Sequence, residues 1–476
     1  MSHLSKILTS FVAFLIALTG VPGAVSAAPR TDRLDGFYGQ RLAWSSCGNG
    51  YECAKLTVPL DYSRPSGEKI GISMVRLPAT GPKIGSLVLN FGGPGGSGVD
   101  SLKATKETVS AAVRERFDIV GFDPRGVGGS SPVRCLGGRG LDAYLALDPT
   151  PDTEAEVKEA ANWDKTFAES CAKNSGERLL AHVGTVDAAR DMDVMRVALG
   201  DARLSYLGFS YGTYLGAVYA DLFPTRVRAM VLDGAEDPGQ TAQDLGADQD
   251  RGFEVATESF LRDCFGTRGC PFTGGSVDAA LERLEGLYER ADRAPLRNTR
   301  DGRQVTEGVA RAAVEYAMYS TSDWPRLRGA LADAFRGDGT GLLRLADESN
   351  GRRPNGKYDN SFEALMAINC VDHPENPCAN WPVQGTRYPK KVRAEGAPPI
   401  VVVGTTRDPA TPYKLAQALA AQLSKGVLLT NVADGHTGYG KGSACLDGKV
   451  DHYLITAEAP RPATCGTPPG ASRDRS

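Results

Sequence analysis

The sequence predicts an α/β fold, in which a mostly parallel central sheet carries helices on both faces and is interrupted by an inserted helical cap. Three observations predict it. Short continuous aliphatic runs recur along the chain, each ends in a turn rich in glycine or aspartate, and helical patterns follow. A parallel sheet covered on both faces produces such runs, because neither side of its strands meets water.

In chain order, Leu87-Val88-Leu89-Asn90-Phe91 opens into the glycine stretch 92–98. Phe117-Asp118-Ile119-Val120-Gly121-Phe122 ends at Asp123-Pro124-Arg125-Gly126. Leu204-Ser205-Tyr206-Leu207 ends at Gly208, and Met230-Val231-Leu232 at Asp233-Gly234. Far downstream, residues 399–403 end at Gly404 and residues 427–432 at Ala433-Asp434-Gly435. Between these two groups the texture changes. Helical periodicity dominates, as over 277–290 and 309–319, and buried-strand runs are missing. The expected division is a first part of the sheet domain over 40–237, a cap over 238–395, a second part over 396–466 and a loose polar tail over 467–476.

Composition places limits on function. The chain has 476 residues, 41% hydrophobic and 23% charged, with a net charge of -3. That is long enough for one large core plus an insertion. So even a charge balance argues against nucleic acid or an anionic membrane as partner. At the N-terminus, Lys6 precedes an apolar run over 7–21, and Pro22-Gly23-Ala24-Val25-Ser26-Ala27-Ala28 follows. Val25 and Ala27 suit the −3 and −1 positions of a signal peptidase site, so residues 1–27 read as a signal peptide. An uncleaved anchor competes, but the run is short for a span and small residues end it. No second run of spanning length follows, so no stable membrane span is expected after cleavage. The protein is expected outside the cell, with cell-wall retention left open.

Ten cysteines, all beyond the cleavage site, fit an oxidising destination. Short separations suggest Cys47 with Cys53, Cys264 with Cys270, Cys370 with Cys378 and Cys445 with Cys465, leaving Cys135 for Cys171. Spacing does not choose among the many possible pairings. The competing zinc reading lacks a CxxC pair or a His/Cys cluster, so no metal is expected.

Gly208-Phe209-Ser210-Tyr211-Gly212 matches GxSxG. In a chain with 56 glycines the match arises by chance with a probability on the order of a few tenths, so its setting decides. It follows a strand-like run and opens a helix-like one over 213–223, as a nucleophile elbow does. Ser210 would stand at a helix N-terminus, where backbone amides favour developing negative charge. The general base is expected at His436, in Asp434-Gly435-His436-Thr437-Gly438 after the last clear strand. His182 and His373 come too early in the chain, and His452, before Tyr453-Leu454-Ile455, reads as a packed helical residue. The orienting acid should lie between nucleophile and base. Asp408, in Arg407-Asp408-Pro409-Ala410-Thr411-Pro412, has that place, although an Asp before Pro also serves as a helix cap. The Gly92–Gly98 loop has two readings. Gly93-x-Gly95-x-x-Gly98 matches a dinucleotide fingerprint with Asp123 as ribose acid, whereas an oxyanion loop needs the same glycines without a cofactor. The second is preferred, and no cofactor is expected. Residues 435–442 resemble a P-loop, but Gly442 stands where Ser or Thr must bind magnesium.

Taken together, Gly92-Gly93-Pro94-Gly95-Gly96, Asp123-Pro124-Arg125-Gly126-Val127-Gly128-Gly129-Ser130, the Ser210 pentapeptide, Val231-Leu232-Asp233-Gly234, Asp408-Pro409-Ala410-Thr411-Pro412 and Gly435-His436 resemble the proline iminopeptidase and tripeptidyl aminopeptidase branch of the α/β-hydrolases. The resemblance runs in family order over about residues 40–465. It implies Ser210 as nucleophile, Asp408 and His436 as its partners, and Gly93 and Tyr211 amides as oxyanion donors. Phe91 stands where iminopeptidases commonly carry His. That departure, with the leader, the cysteines and the large cap, is more similar to secreted tripeptidyl aminopeptidases. Such an enzyme needs an acid for the substrate ammonium, and Glu236, Asp237 and Asp372 are the candidates. The expected activity is release of short peptides, tripeptides by resemblance, from free N-termini. A secreted carboxylesterase or lipase on the same residues is the alternative.

Overall fold

The computed structural model describes residues 34–105, 108–374, 378, 380–385 and 391–466. The expected signal peptide and the tail over 467–476 lie outside the described residues.

Ten strands form one sheet: β1 Ser45–Ser46, β2 Glu52–Pro59, β3 Lys69–Leu77, β4 Gly85–Asn90, β5 Phe117–Phe122, β6 Leu204–Phe209, β7 Val227–Asp233, β8 Ile400–Arg407, β9 Gly426–Asp434 and β10 Ala463–Cys465. Their order is β1-β2-β3-β5-β4-β6-β7-β8-β9-β10. From β5 to β10 all neighbours run parallel, while β1, β2 and β3 add an antiparallel edge. The sequence reading contained β4 to β9 but neither the short parallel strand β10 nor this antiparallel edge. In β2 the burial alternates with exposure, so no continuous apolar run marks it.

The parallel strands are apolar throughout because alternate residues enter two different cores. Val88, Val120, Tyr206, Met230 and Val402 pack on one face against the helices Thr185–Ala198 and Tyr211–Leu222. Leu87, Leu89, Ile119, Leu207, Val231 and Val403 pack on the other, where Tyr453 and Leu454 of helix Ala444–Thr456 cover them. Burying a side chain of this size is worth ~1.5–3 kcal/mol, so both layers are needed to hold the sheet.

Between β7 and β8 the described residues contain helices and no strand of the sheet. Helices Ala242–Phe265, Val277–Arg293, Glu307–Met318, Trp324–Ala334 and Thr340–Ser349 close around a core of their own that includes Phe260, Leu287, Trp324 and Leu342. Helix Ser361–Asp372 behaves differently. Its Ala364, Ala367 and Ile368 enter the core of the sheet domain.

All ten cysteines are disulfide-bonded: Cys47–Cys53, Cys135–Cys171, Cys264–Cys270, Cys370–Cys378 and Cys445–Cys465. Among the described residues no helix is long and apolar enough to cross a membrane. One local expectation needs correcting. His452 does lie on a helix, but it is exposed and faces Glu458 at 3.5 Å rather than packing, because the apolar surface of that helix belongs to Val450, Tyr453 and Leu454.

Candidate active site

The sheet positions the site through its strand order. β5 lies on one side of β4 and β6 on the other, so the chain reverses its direction of winding beside β4. In open α/β sheets the crevice beyond the carboxyl ends at such a point is where ligands bind. Asn90 of β4 pairs with Gly208 of β6, so the glycine loop after β4 and the GxSxG turn after β6 emerge side by side.

Ser210 sits in that turn with φ 55° and ψ -130°, a strained conformation for a residue with a side chain. Its amide donates to the carbonyl of Asp233 at 2.9 Å, and its own carbonyl accepts from Thr213 at 2.7 Å. Close approach explains the flanking glycines. A Cβ on Gly212 would stand 2.7 Å from the Asn90 carbonyl oxygen. Helix Tyr211–Leu222 then starts directly under Ser210. Gly92, at φ 89°, lies against the turn: a Cβ there would be 2.8 Å from Ser210 Cβ and 3.3 Å from Tyr211 N. The glycine loop thus brings Gly92 beside the Tyr211 amide. Asp123, weighed as a ribose acid, instead braces this loop. Its carboxylate accepts from Ser97 Oγ at 2.6 Å, Val99 N at 3.1 Å and Gly129 N at 2.8 Å.

Asp408 follows β8 and His436 follows β9. The two strands pair along most of their length, with Arg407 opposite Asp434. Arg407 also donates to Asp434 at 2.8 Å, tying the two loops together. His436 Nδ1 stands 2.8 and 3.0 Å from the oxygens of Asp408. An ionised carboxylate only accepts, so Nδ1 carries the proton in this pair. Asp408 also accepts from the amides of Ala410 (3.0 Å), Thr411 (2.8 Å) and Thr437 (3.0 Å). It does not cap the following helix, whose N-cap is Pro412. His436 Nε2 is buried and has no hydrogen-bond partner among the described residues. Burial would lower the pKa of this imidazole. The charge and hydrogen bond of Asp408 outweigh that and hold it above the usual 6.5.

Ser210 and His436 line one cavity of about 930 Å³, together with Phe91, Phe209, Tyr319 and Tyr439. Tyr319 comes from the end of the cap helix Glu307–Met318, and its ring meets the His436 ring edge-on at 5.2 Å. The other early histidines are elsewhere: His182 bonds Asp187 at 3.0 Å, and His373 packs on Tyr214.

The three acids weighed for ammonium binding separate clearly. Asp237 is held by its own turn, through Gly239 N at 2.8 Å, and by Gln422 at 2.5 Å. Asp372 is 3% exposed and accepts from Thr185 N at 2.9 Å and Thr185 Oγ1 at 2.5 Å. Thr185 Oγ1 in turn contacts the Tyr211 hydroxyl, so Asp372 lies behind the residue that follows Ser210. Burial pushes Asp372 up to about 7 against the hydrogen bonds from Thr185. Burial likewise pushes Glu236 up to about 7; nearby His436 opposes the shift and Asp372 adds to it.

Two residues were not singled out from the sequence for what they do. Asp233, fully buried, accepts from the amides of Gly438 (2.9 Å) and Tyr439 (2.7 Å) and so anchors the loop just past His436. Burial pushes its carboxyl up to about 6, against those two amides. Thr411 Oγ1 stands 3.4 Å from His436 Nδ1. Both lie inside motifs that the sequence did reveal, but their partners are about 205 and 25 residues away.

Comparison with known proteins agrees with this architecture. The profile of a family described as TAP-like protein matches residues 367–465. The chain is 39% identical to the serine protease Hip1 of Mycobacterium tuberculosis, over 89% of this chain and 90% of that protein. It is 35% identical to carboxylesterase B of the same species, over 92% and 90%. To the tripeptidyl aminopeptidase of Streptomyces lividans it is 32% identical, over 93% and 89%. With this fold and these relatives, the chain belongs to the tripeptidyl aminopeptidase-like family of α/β-hydrolases and is a serine hydrolase.

Proposed function

We propose that this protein is an exported serine exopeptidase that releases short peptides, tripeptides in the first instance, from free N-termini. The observation that carries the reading is the state of His436. One ring nitrogen is bound to Asp408, while the other is buried and has no partner among the described residues, and His436 and Ser210 line the same cavity. A base so placed accepts the Ser210 proton as Oγ attacks a carbonyl. Amides of Gly93 and Tyr211 receive the oxyanion. His436 then passes its proton to the leaving amine, and an acyl-enzyme remains. Water, deprotonated by the same imidazole, releases the acyl peptide and restores Ser210.

Glu236 is the acid we assign to the substrate ammonium, with Asp372 behind it. A cation docking there would favour their ionised forms, which burial otherwise resists. Export is supported by the leader-like residues 1–27 and by five disulfides. Peptide substrates are supported by the relatives named as a serine protease and a tripeptidyl aminopeptidase. The relative named carboxylesterase B favours a second reading, an esterase on the same three residues with no use for an ammonium site.

Mass spectrometry of products from a peptide ladder, free or N-acetylated, tests the reading. Fragments of three residues from free N-termini alone are the expected outcome. Equal cleavage of acetylated peptides, or turnover of simple esters without any peptide cleavage, overturns it.

A further inference from the structure

The cavity at Ser210 has a chemical polarity that the proposed reaction does not by itself require. Glu236 and Asp372 do not line it. Its wall instead carries two lysines, Lys103 and Lys441, and one carboxylate, Asp323. Asp323 is engaged by Arg326 at 3.1 Å. Neither lysine takes part in a salt bridge among the described residues, and both are exposed at the rim.

These two lysines belong to adjoining segments. Lys103 lies in the last turn of helix Gly98–Ala104, which follows the glycine loop. Lys441 follows the loop that begins at His436. The two segments meet where the Tyr439 hydroxyl accepts from Ser110 N at 3.4 Å. A Cβ added to Gly440 would stand only 3.6 Å from the Thr108 carbonyl oxygen. The same wall carries Phe91 and Phe209, stacked at 6.1 Å, beside Ser210. Two cations on one cavity wall raise the local concentration of a negatively charged ligand.

We infer that Lys103 and Lys441 form a subsite for a carboxylate on the leaving part of the substrate. This rests on the exopeptidase reading above. With the ammonium held at Glu236, outside this cavity, the residues beyond the scissile bond run across Ser210 towards the lysines. The carboxylate can be an acidic side chain or the C-terminus of a short substrate. The selective effect is electrostatic and acts on the leaving segment before and during acylation.

The test uses the full-length mature protein and free-N-terminal hexapeptides with one neutral acyl tripeptide. The leaving tripeptide carries Glu or Gln at each position in turn and ends in carboxylate or amide. Wild-type kcat/KM is expected to favour charged over neutral leaving segments by about three- to tenfold, the combined effect of two exposed ion pairs. That ratio should fall towards one in the Lys103→Met/Lys441→Met double variant and as salt is raised. Lys103→Glu/Lys441→Glu should invert it towards Lys-containing leaving segments. The Glu and C-terminal arms separate the two sources of the carboxylate. A wild-type ratio of one in every arm, or a preference unchanged in the double variant, overturns the inference. Failure of the exopeptidase reading looks different: the neutral amide peptide would then escape cleavage, or be cut equally when acetylated.

Discussion

The main-chain carbonyl of Tyr319 accepts a 2.9 Å hydrogen bond from the amide of His436. Tyr319 belongs to the cap region and His436 to the loop after β9, so the cap holds the backbone of the residue proposed as base. The Tyr319 ring adds an edge-on contact with the imidazole while remaining 41% exposed itself. Tyr319→Ala keeps the carbonyl but removes the ring. We expect kcat/KM to fall about two- to tenfold, as for loss of an aromatic pair. The acid-limb inflection should move to higher pH, because water reaching the imidazole relieves the burial that lowers its pKa. A pH–rate profile of the variant checks both.

Ser210→Ala should lower kcat by at least about 10³-fold while leaving the thermal midpoint in place. Asp408→Asn should also cost about 10³–10⁴-fold in kcat, since an amide no longer selects the productive imidazole tautomer. It should in addition lower the midpoint, because Asp408 accepts three main-chain amides. Labelling by a fluorophosphonate, alongside thermal melts, distinguishes the two.

The pH dependence should differ between substrate classes. Neutral His436 is needed for attack, and its pKa lies above 6.5, so an N-blocked ester should show one acid-limb inflection above that value. A free-N-terminal peptide also needs ionised Glu236, which burial pushes up to about 7. Its kcat/KM should therefore fall more steeply with falling pH, with a logarithmic slope exceeding one. Glu236→Gln should return the slope to one and raise KM for the free peptide alone. The same slope for both substrate classes would remove Glu236 from ammonium binding.

Gly92→Ala places a Cβ 2.6 Å from the Phe209 carbonyl oxygen and 2.8 Å from Ser210 Cβ, at φ 89°. The backbone conformation alone costs ~1–3 kcal/mol. Relief of the clash displaces the turn that carries Ser210, so activity should drop about 10²-fold or more. Thermal melts and single-turnover rates report the two effects separately.

The Cys135–Cys171 bridge spans 36 residues. In the chain-entropy account its loss destabilises the protein by about 4 kcal/mol. Cys135→Ser/Cys171→Ser should show this as a lower denaturant midpoint with an unchanged Ser210 labelling rate below the transition.

Much of this protein was legible from residue order alone. β4 to β9 are continuous apolar runs because both faces of the sheet are covered, and each candidate catalytic residue directly follows such a run. The cysteine pairs between near neighbours could be written down in the same way. The antiparallel edge could not, since half-exposed strands such as β2 carry no such signal. Nor could the fates of Glu236, Asp237 and Asp372, three acids alike in sequence but differently burdened by burial and partners. Local pattern determined the fold class, the strand ends and the order of Ser210, Asp408 and His436. Tertiary structure decided which acids lose their water, that Asp233 and Tyr319 hold the His436 loop, and that two lysines share the rim of the cavity. Those outcomes depend on contacts between segments tens to hundreds of residues apart, and desolvation and hydrogen-bond geometry exist only once those segments meet.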